Sequence, residues 1–494
     1  VSGDLILVLD EGTTSTRAIV YTGDGKIQSV AQRELTQYYP APGWVEHDAA
    51  EIWDKTLVCA REVVAQAGGA DRIATVGITN QRETVVAWDR QTGQPVTHAI
   101  VWQDRRTAPF CDDLREAGLE PRLQQRTGLV IDPYFSGTKI RWILDNVPNA
   151  RALGNRLAVG TVESWLVWKL TGGLHISDAS NASRTQLLAL DGADWDEDLL
   201  GIMGVPRGVL PEVVDSLGRF GSTLPDLLGR AIPICGLAGD QQSATIGQHC
   251  LRPGDTKATL GTGAFVLTNM GKTLASSQHR LLGTVLYQIG GERTYALEGS
   301  IFVAGSLIKW LRDGLGVIRD AAETEHLACS VPDNGGVLFL PALAGLGAPH
   351  WLPDARGVLT GLSQGTGRAH IVRAAMESLA HQCHDLQTAF ASDGARWTML
   401  RIDGGMSAND WIAQDLANIL DIPVERPADV ETTALGTAML AGVGAGLYGS
   451  LEDAIAMRGT VTSFASKLEE ARRRERITLW RSGLAQHLMI ETPN

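Results

Sequence analysis

LILVLDEGTTSTRAIVY, residues 5–21, is the stretch from which the fold can be read. Leu5 to Asp10 is a β-rich apolar run, GTTST is a turn of small residues, and Arg17 to Tyr21 resumes as a strand. Branched apolar side chains suit a pleated, half-buried surface, while glycine and hydroxyl residues suit the turn. Gly23-Asp24-Gly25 makes a second turn and Ile27 to Val30 a third extended segment, so the chain opens as a meander of hairpins. Asp10 therefore stands at a strand end, beside a turn whose N–H and hydroxyl groups can face phosphate oxygens. A polar hairpin tip without a ligand has the same composition, and the turn alone does not separate the two.

The pattern returns near residue 250. Ile232 to Gly239 is an apolar strand ending in Asp240, Lys257 to Leu260 leads into Gly261-Thr262-Gly263, and Ala264 to Thr268 is the strand that follows. This repeat predicts two related halves, 1–248 and 249–494, facing a shared cleft; the alternative is chance, since Gly-Thr turns are common. Strand patterns at Thr75 to Thr79 and Thr84 to Asp89 alternate with helical ones at Glu51 to Ala67 and Ile371 to Phe390, which gives an α/β class with mixed sheets. A further helix is expected from Ser407, with Asp410 completing its capping box. The charge-rich last 30 residues predict a solvated helix.

Composition narrows the function. With 494 residues, 44% hydrophobic and 20% charged, there is material for two cores. A formal charge of −13 gives a nucleic-acid partner no support. Six scattered cysteines without a C-x-x-C pair argue against a zinc ribbon, a redox dithiol or a secreted disulfide framework. No signal-peptide pattern and no apolar run long enough to span a bilayer appears, so a cytoplasmic protein without membrane insertion is expected.

Three polar segments suit a small polyhydroxylated ligand. Asn80-Gln81-Arg82-Glu83 offers donors beside a carboxylate, Trp102-Gln103-Asp104-Arg105-Arg106 follows a strand, and Asp132-Pro133-Tyr134-Phe135 lies in a turn. Arg and carboxylate bind paired hydroxyls, and aromatic rings cover a carbon face. Taken singly, a pair such as Arg82–Glu83 is more often a surface pair, and a residue such as Trp102 or Tyr134 more often core. Asp240, after an apolar strand and a glycine, reads as a general base or as a helix N-cap. DGGMSAND, Asp403 to Asp410, puts two glycines before a helix, where backbone can approach an adenine ring. Walker A and dinucleotide fingerprints fail, because Val266 and His350 stand where they require glycine. His381 and His384 share a helix face without a matching ligand pair, so a metal there is not expected.

Read together, these segments resemble the FGGY carbohydrate kinases over nearly the whole chain. The specific stretches are PGWVEHD (42–48), GITNQRET (77–84), VWQDRRT (101–107), TGLVIDPYFSGTK (127–139), NASRT (181–185), GDQQ (239–242), GLGAPHW (345–351) and DGGMSAND. The resemblance implies a two-lobed, actin/hexokinase-like (ribonuclease H-like) ATPase fold with a central cleft. It also implies phosphoryl transfer from ATP, with Mg²⁺, to a small polyol, glycerol first, with xylulose, ribulose or gluconate as alternatives. Carried over residue by residue, Arg82, Glu83, Trp102, Tyr134, Asp240, Gln241 and Phe265 look like the polyol pocket, and Asp240 like the base. Thr13, Thr14, Arg17, Thr262, Gly305, Lys309, Gly405 and Asn409 fall at nucleotide positions, and Asp10 with Asp240 at the metal. A homo-oligomer, dimer or tetramer, is expected.

The sequence departs from the family pattern at four places. Glu11 replaces the usual Gln, which is expected to add negative charge near the phosphates, and Lys309 stands where Gln is common. Ala179 replaces an aromatic before NASRT, and the glycine-rich stretch tied to fructose-bisphosphate inhibition is not recognisable near Arg230. Loss of catalysis, leaving a nucleotide-binding sensor, is the alternative of a different class; retention of both Asp10 and Asp240 argues against it.

Overall fold

The computed structural model describes residues 3–274, 276–352 and 354–491, without the side chains of 487–491. Residues 1, 2 and 492–494, at the outer ends of the two expected halves, lie outside the described residues.

The N-terminal meander forms as read: β1 (Leu5–Glu11), β2 (Ser15–Tyr21) and β3 (Ile27–Glu34) are consecutive antiparallel strands. They join β4 (Ile73–Asn80), β5 (Leu217–Ser222) and β6 (Pro233–Gly239) in a mixed sheet of order β5-β6-β4-β1-β2-β3. Within it β1, β4 and β6 run parallel. β1 and β4 are buried along their whole length, so both sheet faces need a cover. Helix α1 (Ala49–Gln66), capped by the Asp48 carboxylate on the Ala50 N–H, supplies one through Ile52, Cys59 and Val63.

The second sheet contains β7 (Thr256–Leu260), β8 (Ala264–Gly271), β9 (Leu282–Ile289), β10 (Glu292–Ile301), β11 (Leu400–Asp403), β12 (Val424–Pro427) and β13 (Val461–Phe464). Its order is β9-β10-β8-β7-β11-β12-β13, with β7, β11 and β12 parallel and the other neighbours antiparallel. Without β9, this order and these directions match the first sheet strand for strand. The two Gly-Thr turns occupy the same place, one between β1 and β2 and the other between β7 and β8.

Among the other helices, those that bear on the site and the sheets are α2 (Asp240–Gly247), α3 (Gly305–Asp313), α4 (Arg368–Ser392), α5 (Asp410–Leu420), α6 (Thr432–Ala445) and α7 (Glu470–Glu491). α4 and α5 cover the second sheet, packing Phe390, Leu416 and Ile419 against Leu400 and Ile402. α6 instead crosses back and lays Ala434, Ala438 and Met439 on Ile6, Val8 and Ile19 of the first sheet. It meets α2 at two glycines: a Cβ on Gly247 would lie 2.0 Å from the Thr432 carbonyl oxygen, and one on Gly436 1.9 Å from that of Ser243. Side chains at either position would force these helices apart.

Two helix expectations need correction. α5 begins at Asp410 and not at Ser407, because Asn409 is the extended cap residue and its Oδ1 accepts the Ile412 N–H at 3.0 Å. Residues 405–408 form a 3₁₀ turn, and the Ser407 hydroxyl goes to the Gly404 carbonyl. α7 is not wholly solvated, since Trp480 and Leu484 share a face and are buried. Trp480 stacks on His381 at 5.3 Å and donates to Asp385 at 2.7 Å. Among the described residues no helix is long and apolar enough to cross a membrane.

Candidate active site

Successive residues of a strand face opposite ways, and the end of β1 uses this. Asp10 turns towards the cleft, where it is ion-paired with Arg17; the other end of Arg17 reaches Glu431 at the head of α6, 2.5 Å away. Burial pushes the Asp10 carboxyl above its ordinary pKa, and Arg17 opposes it. Glu11 turns the other way, beneath the sheet, and accepts the Thr16 and Thr56 hydroxyls at 2.5 and 2.7 Å. Burial pushes its pKa to about 8, against those two hydrogen bonds. Glu11 is therefore a core side chain held on Thr16 and Thr56, and its carboxyl is not aimed at the turn where negative charge was expected. The turn is closed by the Gly12 N–H on the Ser15 carbonyl, leaving Thr14 exposed and Thr13 half-buried.

The loop after β4 brings the polyol candidates together. Arg82 and Glu83, which could have been a surface pair, are 3% and 1% exposed. Arg82 donates towards the Tyr134 hydroxyl at 3.4 Å, and its Nε lies 3.4 Å from Asp240 Oδ1. Trp102 packs edge-on against Tyr134 at 5.6 Å and donates from Nε1 to the Thr13 hydroxyl at 2.9 Å, tying this wall to the first turn. Tyr134 is held from behind: the buried Lys139 ammonium binds the carbonyls of Pro133, Tyr134 and Phe135, and Asp132 accepts the Tyr134 N–H. Asp240 is the first residue of α2 rather than its cap, with Gly239 in the cap position. About a third of its side chain still meets solvent. Burial pushes its pKa up, Arg82 and then Lys257 pull it down, and Asp10 is near enough to push it up again.

Three residues with no assigned role lie behind this wall. Glu298 accepts Arg82 at 2.5 and 3.2 Å and Arg184 at 2.9 Å, while Arg184 Nε donates to Glu83 Oε1 at 2.6 Å. Lys257 donates to Gln241 Oε1 at 2.6 Å and to the Thr259 hydroxyl at 2.7 Å. Strand register explains the meeting. Lys257 pairs with Leu267, and Leu267 with Glu298, so the two charges share one face of the second sheet. Next to them, Thr259, Phe265 and Ser300 form the adjoining row, which puts the half-buried Phe265 on that face too. Burial works against the Glu298 carboxylate, yet Arg184 and Arg82 hold its pKa down to about 2. A lone charge inside an apolar strand, as in TYALEGSI, is the sequence signal that could have marked Glu298.

The remaining nucleotide candidates belong to the second half. The Thr262 carbonyl accepts the Ala304 and Ser306 N–H groups at 3.0 Å, and a Cβ on Gly305 would lie 2.6 Å from the Gly261 carbonyl oxygen. The second turn is thus bound to the head of α3, on which Lys309 is exposed. Gly404, at φ +81°, packs against Leu260, whereas a Cβ on Gly405 would meet nothing within 4 Å. Asn409 caps α5 and donates to the Thr324 hydroxyl at 3.3 Å.

Two profiles of the FGGY family of carbohydrate kinases match the chain, the N-terminal domain over residues 5–247 and the C-terminal domain over 256–445. The chain is similar to a glycerol kinase of Rhodospirillum centenum, 55% identical over 91% of each chain. It is 51% identical to a glycerol kinase of Gluconobacter oxydans over 99% of this chain and 96% of that one. Among solved structures, Plasmodium falciparum glycerol kinase with ADP superposes with a TM-score of 0.93 at 34% identity, covering 98% of both chains.

Proposed function

The chain belongs to the FGGY family of carbohydrate kinases, and from that premise we propose that it transfers the γ-phosphoryl group of ATP to glycerol, giving glycerol 3-phosphate and ADP. The observation that carries this reading is the convergence of Arg82, Glu83, Trp102, Tyr134 and Asp240 on one small wall, tied to the first Gly-Thr turn through Trp102 and Thr13. A three-carbon alcohol offers three hydroxyls and a narrow carbon face, which suits two charged hydrogen-bonding groups and two aromatic edges.

In the step itself, Asp240 accepts the proton of the attacking terminal hydroxyl as its oxygen bonds to the γ-phosphorus and the bond to the ADP oxygen breaks in line. Arg82 and Glu83 bind the other hydroxyls and so orient the attacking one. Thr13, Thr14 and Thr262, with the N–H groups of both turns, are the donors for phosphate oxygens. Gly305, Gly405, Asn409 and Lys309 border the nucleoside, and Gln241 and Phe265 complete the polyol side. Arg17 would exchange its pairing with Asp10 or Glu431 for a phosphate contact.

The donor set suits Mg²⁺. It needs only one or two protein carboxylates besides phosphate and water oxygens, and Asp10 and Asp240 are two such groups within electrostatic reach of each other. Among the described residues no group of three or more His, Cys, Asp or Glu is arranged as a metal cage. Bound between Asp10 and Asp240, the ion would neutralise phosphate charge.

We further propose residues 1–248 and 249–494 as the two lobes, a cytoplasmic location and a dimer or tetramer. Six free cysteines, five of them buried, fit a reducing compartment. Val30 on the edge strand β3 and Val58 on α1, both about half exposed, are apolar groups that a subunit contact would cover. A substrate panel with coupled ADP detection tests the reading. Turnover with glycerol well above that with xylulose, ribulose or gluconate is expected; strong activity on a pentulose with none on glycerol would overturn it.

A further inference from the structure

We propose that Glu298 and Arg184 are positioning residues for the polyol site, a buried pair that presents the Arg82 guanidinium and the Glu83 carboxylate to the substrate hydroxyls. This rests on the reading of Arg82 and Glu83 as polyol ligands.

The donors of Arg82 divide into two sets. Those aimed at Glu298 are held at 2.5 and 3.2 Å, while those aimed at Gln242 Oε1, the Tyr134 hydroxyl and Asp240 Oδ1 span 3.3, 3.4 and 3.4 Å. Contacts at the long end of the range are weak and exchange readily for a hydroxyl, whereas a charge-assisted pair at 2.5 Å does not. Glu298 thus grips one edge of the guanidinium and leaves the edge facing Tyr134 and Asp240 loosely held. Arg184 does the same for Glu83. It takes Oε1 at 2.6 Å, and Oε2 accepts no hydrogen bond from the described residues.

Four charges, Arg82, Arg184, Glu83 and Glu298, are buried together with two of each sign. Buried charges persist only when paired and hydrogen-bonded, so each of the four fixes the others. Arg184 is further seated over the Tyr134 and Phe135 rings at 5.7 and 5.3 Å. Glu298 comes from β10, 216 positions from Arg82, so the second half sets the orientation of a ligand group carried by the first.

The test is steady-state kinetics on the full chain with glycerol and ATP varied separately. Glu298→Gln is expected to raise the KM for glycerol about 10–100-fold, the scale of a lost charge-assisted hydrogen bond, with the KM for ATP within about 2-fold of the parent. Glu298→Asp should recover part of the loss. Should Glu298→Gln not fold, Arg184→Met combined with Glu298→Gln removes one charge of each sign and gives the deciding measurement; the same rise in glycerol KM in a stable double variant is expected. A stable variant with parental glycerol KM, or with both KM values raised alike, would show a role in stability alone and overturn the inference. Arg82→Ala is measured in parallel. If it leaves the glycerol KM unchanged, the pocket assignment fails and the inference falls with it; if it raises KM while the Glu298 variants do not, only the inference falls.

Discussion

On the proposed polyol side, Arg82, Glu83, Arg184 and Glu298 are all 3% exposed or less and each has an ionic partner, whereas on the proposed nucleotide side Thr262, Lys309 and Gly405 lie open to solvent. The first wall is made of side chains fixed by other side chains, and the second of backbone, small residues and helix ends. Ligand chemistry explains the difference. A polyol carries no charge and must be recognised by donors and acceptors already in place, whereas a nucleotide brings its own charge and a flat ring that only needs room.

Asp240 lies beside Arg82 on the first wall and within electrostatic reach of Asp10 and Lys257, and Asp240→Asn should have the largest effect. kcat is expected to fall by roughly 10²–10⁴ with a modest change in KM; near-normal turnover in rapid-quench or coupled assays would remove it from the base role. Arg82→Ala breaks the fixed wall alone and should raise the KM for glycerol about 10–100-fold while sparing that for ATP. Gly405→Val probes the open wall. A Cβ there meets nothing within 4 Å in the free protein, so thermal stability should change little while the KM for ATP rises about 5–50-fold by crowding the adenine. An unchanged ATP KM would move the adenine elsewhere.

The smallest effect sharpens the comparison by asking what a buried carboxylate does without cations. Glu163 is fully buried, accepts Thr161 and Ser177 hydroxyls at 2.6 Å, and leaves Oε2 unpartnered. Burial pushes its pKa to about 7, against those two hydrogen bonds. A carboxyl raised in the folded state keeps its proton while the unfolded chain ionises, so stability falls as pH climbs from about 4.5 to about 7. Glu163→Gln removes that slope, worth at most about 1.4 kcal/mol per pH unit. Urea unfolding should show the variant gaining on the parent between pH 5 and 8, and a gap that does not change with pH would contradict the assignment.

Much of the fold was legible because its signals are local. The hairpins of 5–34 and 256–271 show in apolar runs broken by glycine and hydroxyl residues, and α4 in its apolar stripe. The start of α5 was misread because Ser407 and Asn409 are both good caps, and only backbone geometry separates them. Glu11 was misread although the alternation along β1 already put it on the face opposite Asp10. Glu298, Arg184 and Lys257 were missed for a different reason. Glu298 alone carries a local mark, as a lone charge in an apolar strand, and its partners Arg82 and Arg184 come from segments more than a hundred positions away.

The return of α6 to the first sheet sets an order of events during synthesis. Arg17 and Glu431 are 414 positions apart in the chain, and Ile6 and Val8 have Ala438 and Met439 as their cover. At about 5–20 residues per second, a nascent chain would hold that apolar face open for on the order of 20–80 s after the first hairpin leaves the ribosome. A fragment ending at 248 would never acquire the cover, so expressed alone it should be captured by chaperones or lost to aggregation.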